Sequence, residues 1–253
     1  MDLSSGMAAL VLMAVVIGAI LQRVSGTGMG LVLAPVLTLL VGPGPGVLIT
    51  NATTMVSALL LMLAMRQDIE WRRALLIMAC VPPGAIVGAL VVKNLSVAWL
   101  QVTVGAVVLG AIGITVLMTQ LGKLPHVRTW WITPLAGTVG GMLNTVAGVS
   151  APVVVVHARL VRWTHRNFAA SMQPVFMTMG AASVASKTVF GSVEAGLPPV
   201  WVLPAALLAV LVGIALGGYA TKRISASHAA TAALVIAGLG GLSAMIRGLA
   251  TLL

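Results

Sequence analysis

Two apolar stretches of this chain are interrupted by glycine-rich segments, GTGMGLVLAP at 26–35 and GMLNTVAGVSAP at 141–152, and each interruption runs into Ala-Pro. Backbone that leaves the helix at membrane depth exposes unpaired N–H and C=O groups, which only surrounding protein or a watery cavity can satisfy. Matched interruptions in the two halves of an apolar chain therefore point to a site built where the interruptions meet.

Composition says that the stretches lie in a membrane. The 253 residues are 60% hydrophobic and 7% charged, against roughly 45–50% and about 25% in soluble domains. Four acids (Asp2, Asp68, Glu70 and Glu194) face fourteen Lys and Arg, a net charge of +10. The basic residues are scattered through short loops and form no arm or stripe, so they read as topology signals, with lipid and not nucleic acid as the partner. Cys80 stands alone, which excludes an intrachain disulfide, a CxxC pair and a thiolate metal cluster; no cofactor is implied. The first apolar run, 7–21, has Asp2 and no Lys or Arg before it and no A-x-A-like site after it, so it is expected to be retained.

Further runs at 47–65, 74–92, 97–118, 168–190, 200–220 and 229–246 are each close to the roughly 20 residues that cross a bilayer. The run 131–156 is too long for one crossing and too short for two, which suits two half-helices meeting at a tip. Loop charge bears on the topology because cytoplasmic loops collect Lys and Arg. If every segment crossed once, six basic residues would fall on each side. If both interrupted segments enter and leave on one face, Arg66, Arg72, Arg73, Lys123, Arg128, Arg159, Arg162, Arg166, Lys222 and Arg223 become cytoplasmic and only Lys93, Lys187 and Arg247 lie outside. The second arrangement is expected. It puts both termini outside and leaves open whether the interrupted segments are re-entrant or cross twice.

The halves also align. Ala34-Pro35 corresponds to Ala151-Pro152, Asn51 falls near Asn167, and Gly84, Gly88, Lys93 and Ser96 match Gly213, Gly217, Lys222 and Ser225 without a gap. With Lys93 outside and Lys222 inside, equivalent loops lie on opposite faces, as an inverted repeat requires. The expected fold is an all-α polytopic membrane protein of two inverted repeats, each with one re-entrant or doubled-back segment and three spanning helices. The first repeat is 1–118, a cytoplasmic connector 119–130, and the second repeat 131–253.

The chain resembles the TauE/SafE family of sulfite exporters, through GTGMGLVLAP followed by NATTMVSALL (51–60), and GGMLNTVAGVSAP (140–152) followed by NFAASM (167–172). The resemblance covers almost the whole chain and implies export or uptake of small anions such as sulfite, sulfonates or related organosulfur acids. GTGMG in place of a more continuous glycine run, and Asn144-Thr145 inside the second break, depart from the commonest pattern.

An anion site follows from the residues as well. Half-helices ending near the midplane aim N–H groups and positive dipole ends into a cavity. Gly26, Thr27, Gly28 and Gly30 let a ligand approach the backbone, and Asn144, Thr145, Gly148 and Ser150 add neutral hydrogen bonds. The rival reading is close helix packing by small residues. Asn51 either lines the site or caps the helix after the first break, and Asn167 likewise after the second. Thr54, Ser171 and Gln173 are lining candidates, and Pro174 is expected to kink its helix. The paired glycines Gly84/Gly88 and Gly213/Gly217 are packing motifs.

Charge inside a membrane marks function by default. Arg23 either attracts the anion or snorkels to the interface. Lys187 is expected to be a snorkelling anchor near the outer end of its helix, with an anion vestibule as the sharper alternative. His157 and His165 are read as basic residues near the cytoplasmic face. No acid lies within an apolar run, which argues against a carboxylate relay. Coupling to protons or another ion, and a homodimer, stay open. The competing functions are a non-transporting assembly factor and, more remotely, an intramembrane hydrolase using Ser150 with His157 or His228, for which the motif lacks its second glycine.

Overall fold

The computed structural model describes residues 5–25, 29–120, 131–190 and 201–253. Gly26, Thr27 and Gly28, most of the 119–130 connector, and Glu194 lie outside the described residues. Those described form eleven α-helices and one 3-10 turn, with no strand among them.

The first half opens with α1 (Ser5–Ser25), α2 (Gly30–Val41) and α3 (Pro43–Ala64). At about 1.5 Å per residue, the 21 residues of α1 reach about 30 Å and the 12 of α2 about 18 Å. The first break therefore follows a helix long enough to cross and precedes one that is not. Gly42 separates α2 from α3 with φ +91°, a conformation that side chains disfavour. Pro43 then starts α3 with the fixed φ suited to a first helical residue. This start corrects one expectation: Asn51 and Thr54 stand in the third and fourth turns of a 22-residue helix, not at its beginning, so Asn51 is no cap.

A 3-10 turn, Arg66–Asp68, leads into α4 (Trp71–Ala79) and α5 (Val81–Asn94). The run 74–92, read as one crossing, lies in a single stretch of bilayer length, Trp71–Asn94, which is divided into two helices at Cys80. Pro82 and Pro83 lie in the first turn of α5, where their missing N–H groups interrupt no intrahelical bond. Helix α6 (Val97–Gln120) closes the half.

The second half holds α7 (Ile132–Ala147), α8 (Ala151–Leu160), α9 (His165–Val189), α10 (Val202–Ala220) and α11 (Ala226–Leu252). As expected for 131–156, α7 and α8 are two short helices meeting at the break. Helix α9 passes through Pro174 without being divided.

Packing interlocks the halves: α1 lies on α10, α7 on α5, α3 on α9 and α6 on α11. The paired glycines make these contacts close. A Cβ at Gly84 would strike the Thr138 carbonyl of α7, and one at Gly213 would come within 2.6 Å of the Ala19 Cβ of α1. Large apolar side chains face outward along α5, α6, α10 and α11, as lipid-facing helices require. Exposed Trp71, Trp99, Trp131 and Trp201 stand at or within a turn of the starts of α4, α6, α7 and α10, where amphipathic rings suit the membrane–water interface. Five helical stretches, Ser5–Ser25, Pro43–Ala64, Trp71–Asn94, Val97–Met118 and Ala226–Leu252, are long and apolar enough to cross a bilayer.

Candidate functional site

The two breaks meet inside the molecule. A Cβ at Gly30 would collide with the Gly148 carbonyl oxygen, and one at Gly148 would come within 2.9 Å of the Ala34 Cβ. Gly148 ends α7 with φ +70°, the left-handed cap that lets a helix stop within one residue. Beside this contact lies a cavity lined by Gly30, Leu31, Thr54, Asn144, Gly148, Ser150, Ala151 and Phe176. It offers about 10 Å³ to the centre of a water-sized sphere, space for about one water molecule.

Both short helices begin at its wall. Gly30 and Leu31 open α2, and Ser150 and Ala151 open α8. Neither start has a side-chain cap. The N–H groups of Val32 and Val153 bond the Met29 and Ser150 carbonyls and Pro152 has none, which leaves those of Gly30, Leu31 and Ala151 at the wall with the positive dipole ends. The Thr54 hydroxyl is buried without a hydrogen-bond partner among the described residues. The wall thus presents donors and neutral polar groups, and no charged side chain.

Behind the wall, Asn144 donates from Nδ2 to Oδ1 of Asn51 at 2.9 Å, and Asn51 donates from its own Nδ2 to the Ser183 hydroxyl at 2.7 Å. All three are buried. This chain of amides joins α7, α3 and α9 and fixes how Asn144 meets the cavity.

Of the expected site residues, Gly30, Thr54, Asn144, Gly148 and Ser150 come together at the cavity. Asn51 stands one hydrogen bond behind it. Thr145 does not line the cavity: its hydroxyl returns to the Gly141 carbonyl at 2.8 Å and its side chain packs near Gly88 of α5, because one residue along a helix turns the side chain about 100° away from Asn144. Gln173 bonds the Ala169 carbonyl at 2.9 Å and is absent from the lining, where Phe176, three residues on, takes the place. Arg23 lies in the last turn of α1 with its stem against Gly217 of α10, also off the cavity. Leu31, Ala151 and Phe176 carried no polar signal to find them by.

A second polar cluster occupies the end of the molecule where α9 begins. Glu70 accepts from Trp163 Nε1 at 2.8 Å and from Asn167 Nδ2 at 2.9 Å, and it pairs with Arg73 at 3.3 Å. Its backbone N–H donates to the Ser171 hydroxyl at 2.8 Å, so Ser171 lies outside the central cavity. Asp68 pairs with Arg166 at 2.9 Å. The Arg73 guanidinium sits 5.3 Å from the centre of the Trp163 ring. The first half's loop thus holds the turn between α8 and α9 of the second. Asn167 serves here and is not a cap; Thr164 precedes α9.

His157 is no surface basic residue. It is buried in α8, with Nε2 3.0 Å from the Thr133 hydroxyl and its ring edge-on to Trp163. His228 shares its Nδ1 with Ser225. Among the described residues, Ser150 has no side-chain hydrogen bond to His157 or His228.

Apolar helices that interlock across two halves, around a buried polar cavity at two helix starts, define a polytopic helical membrane protein. A family model, sulfite exporter TauE/SafE, matches residues 10–244, nearly the whole chain, and the chain belongs to that family. No curated protein and no solved structure gives a significant match.

Proposed function

We propose that this protein exports a small sulfur oxyanion, such as sulfite, a sulfonate or a related organosulfur acid, by alternating access at the cavity between the two breaks. One observation carries the reading: the uncapped N-terminal ends of α2 and α8, one from each half, open on the same buried cavity with Thr54, Asn144 and Ser150. Helix starts bind anions through free N–H groups without requiring a cation. The family membership supports the sulfur chemistry.

The cavity has space for about one water, so a bound oxyanion needs it widened. That is consistent with a state closed toward both faces. The reciprocal packing of α1 on α10 and α7 on α5, with α3 on α9 and α6 on α11, supports two repeats related by a two-fold axis in the membrane plane, which can rock about the cavity. The Glu70 cluster ties the halves at one end and would part when that end opens.

The test is flux into liposomes bearing the purified protein, across sulfite, sulfonates and carboxylates, with and without a proton gradient. Saturable sulfite or sulfonate flux is expected, with Asn144→Ala and Thr54→Val each raising KM about 10- to 100-fold, as loss of a charge-assisted hydrogen bond of about 1.5–3 kcal/mol would do. Folded protein that moves none of these anions would refute the reading.

A further inference from the structure

Lys187 is buried to 1% exposure, among the largest side chains enclosed by the fold. Snorkelling, expected from its place near the end of α9, would put the ammonium in water or headgroups; instead protein surrounds it. Lys93 and Lys222, also near helix ends, are exposed. Among the described residues no hydrogen bond or ion pair reaches Lys187. The described acids, Asp68 and Glu70, belong to the cluster at the opposite end of α9 and are engaged there. A buried charge in a membrane protein without a partner is costly and marks an ion path or ligand.

Its position says which path. Lys187 stands one helical turn beyond Ser183, and helical side chains lean back toward the N-terminus of their helix. Ser183 receives Asn51, Asn51 receives Asn144, and Asn144 lines the cavity. A file of hydrogen-bonded polar groups therefore leads from the cavity to Ser183, one helical turn short of the lysine. The cavity wall itself carries no cation, and the buried charge of α9 lies one turn past the end of that file.

We infer that Lys187 is a second anion station. It pairs with the transported oxyanion between the central cavity and the end of the molecule where α9 finishes. The inference rests on the transport reading above and adds the residue that would favour anions over neutral solutes. Neutral hydrogen-bond donors bind many polar molecules, whereas a desolvated ammonium rejects those without negative charge.

The experiment uses full-length protein, with two readouts: sulfite flux into liposomes, and the thermal melting of detergent-purified protein titrated with sulfite. Wild type, Lys187→Arg, Lys187→Gln, Glu194→Gln and the double variant Lys187→Gln/Glu194→Gln are compared. Lys187→Gln is expected to raise the KM for sulfite about tenfold or more and to lose the sulfite-induced rise in melting temperature, while Lys187→Arg keeps both. A Lys187→Gln KM within about twofold of wild type overturns the inference. So does recovery of flux in the double variant, which would make Glu194 the lysine's partner. If wild type carries no anion but sulfite still raises its melting temperature through Lys187, the station stands and the transport reading falls. If wild type transports and the lysine variants match it, the station alone falls. Should Lys187→Gln not fold, Ser183→Ala interrupts the polar file without removing the charge. It is expected to raise the sulfite KM, and an unchanged KM there overturns the inference.

Discussion

Gly30 and Gly148 show how much one missing side chain decides. Their backbones touch where the two halves meet, so Gly30→Ala must push α2 away from α7. Overpacking of this kind costs about 1–3 kcal/mol, and the cavity beside it should lose its shape before the fold is lost. Gly30→Ala is therefore expected to insert and purify as a folded protein, melt a few degrees lower, and carry sulfite poorly; wild-type flux would show that the contact does not shape the site. Asn51 answers to another term. Removing it leaves the Asn144 amide buried without its acceptor, a penalty of about 1–3 kcal/mol, and Asn51→Ala should lower melting more than Asn51→Asp, which keeps an acceptor at Oδ1. Equal melting of the two would show that the hydrogen bond is not what the position supplies.

Among elements, the short helices and the loop cluster carry the most consequence. The Arg73–Glu70 pair is partly exposed, and such pairs contribute about 0–1 kcal/mol, so its weight in stability is small. Its geometry matters more, because Glu70 also holds Trp163 and Asn167 across the halves. Glu70→Ala, which removes the hydrogen bonds to Trp163 and Asn167 as well, is expected to lower melting by several degrees and to make a cysteine placed at Phe176 easier to label from the side where α9 begins, measured with an impermeant maleimide in a Cys80→Ser background. No change in labelling would remove the cluster as a gate. The glycine pairs on α5 and α10 belong to this scale too. Gly84→Leu should disrupt assembly of α5 on α7, seen as loss of a monodisperse gel-filtration peak, since Thr138 and Met142 backbone atoms fill the space a side chain would need.

At the scale of the whole molecule, the proposed inverted repeat predicts that Lys93 and Lys222 lie on opposite faces of the membrane. Lys93→Cys and Lys222→Cys, each in the Cys80→Ser background, should differ in labelling of intact cells by an impermeant maleimide, with only one reacting. Both reacting from the same side would end the inverted-repeat reading. The all-helical membrane class was legible in the run lengths and composition, and the meeting of the breaks was foreshadowed by the repeated Gly-rich pattern. The reading of 74–92 as one crossing agrees with the bilayer length of 71–94, while the break within it at Cys80, just before Pro82-Pro83, was not foreseen because run length says nothing of a break inside a single span. Helix α1 was read as part of a broken segment, although its 21 residues reach span length once its polar ends, Ser5 and Ser25, are included.

What the sequence determined by itself was class and location: apolar runs of bilayer length must become helices, since lipid offers backbone groups no other partner, and glycine with proline marks where those helices stop. Which side chains share a wall was decided only by tertiary packing. Asn144 and Thr145 are neighbours in sequence with opposite fates, one on the cavity and one against α5, because helix rotation and the seating of α7 on Gly84 and Gly88 choose between them. The burial of Lys187 was likewise beyond sequence. A lysine two residues from a helix end looks like an anchor until the neighbouring helices are in place around it, and only then does its charge lose access to water.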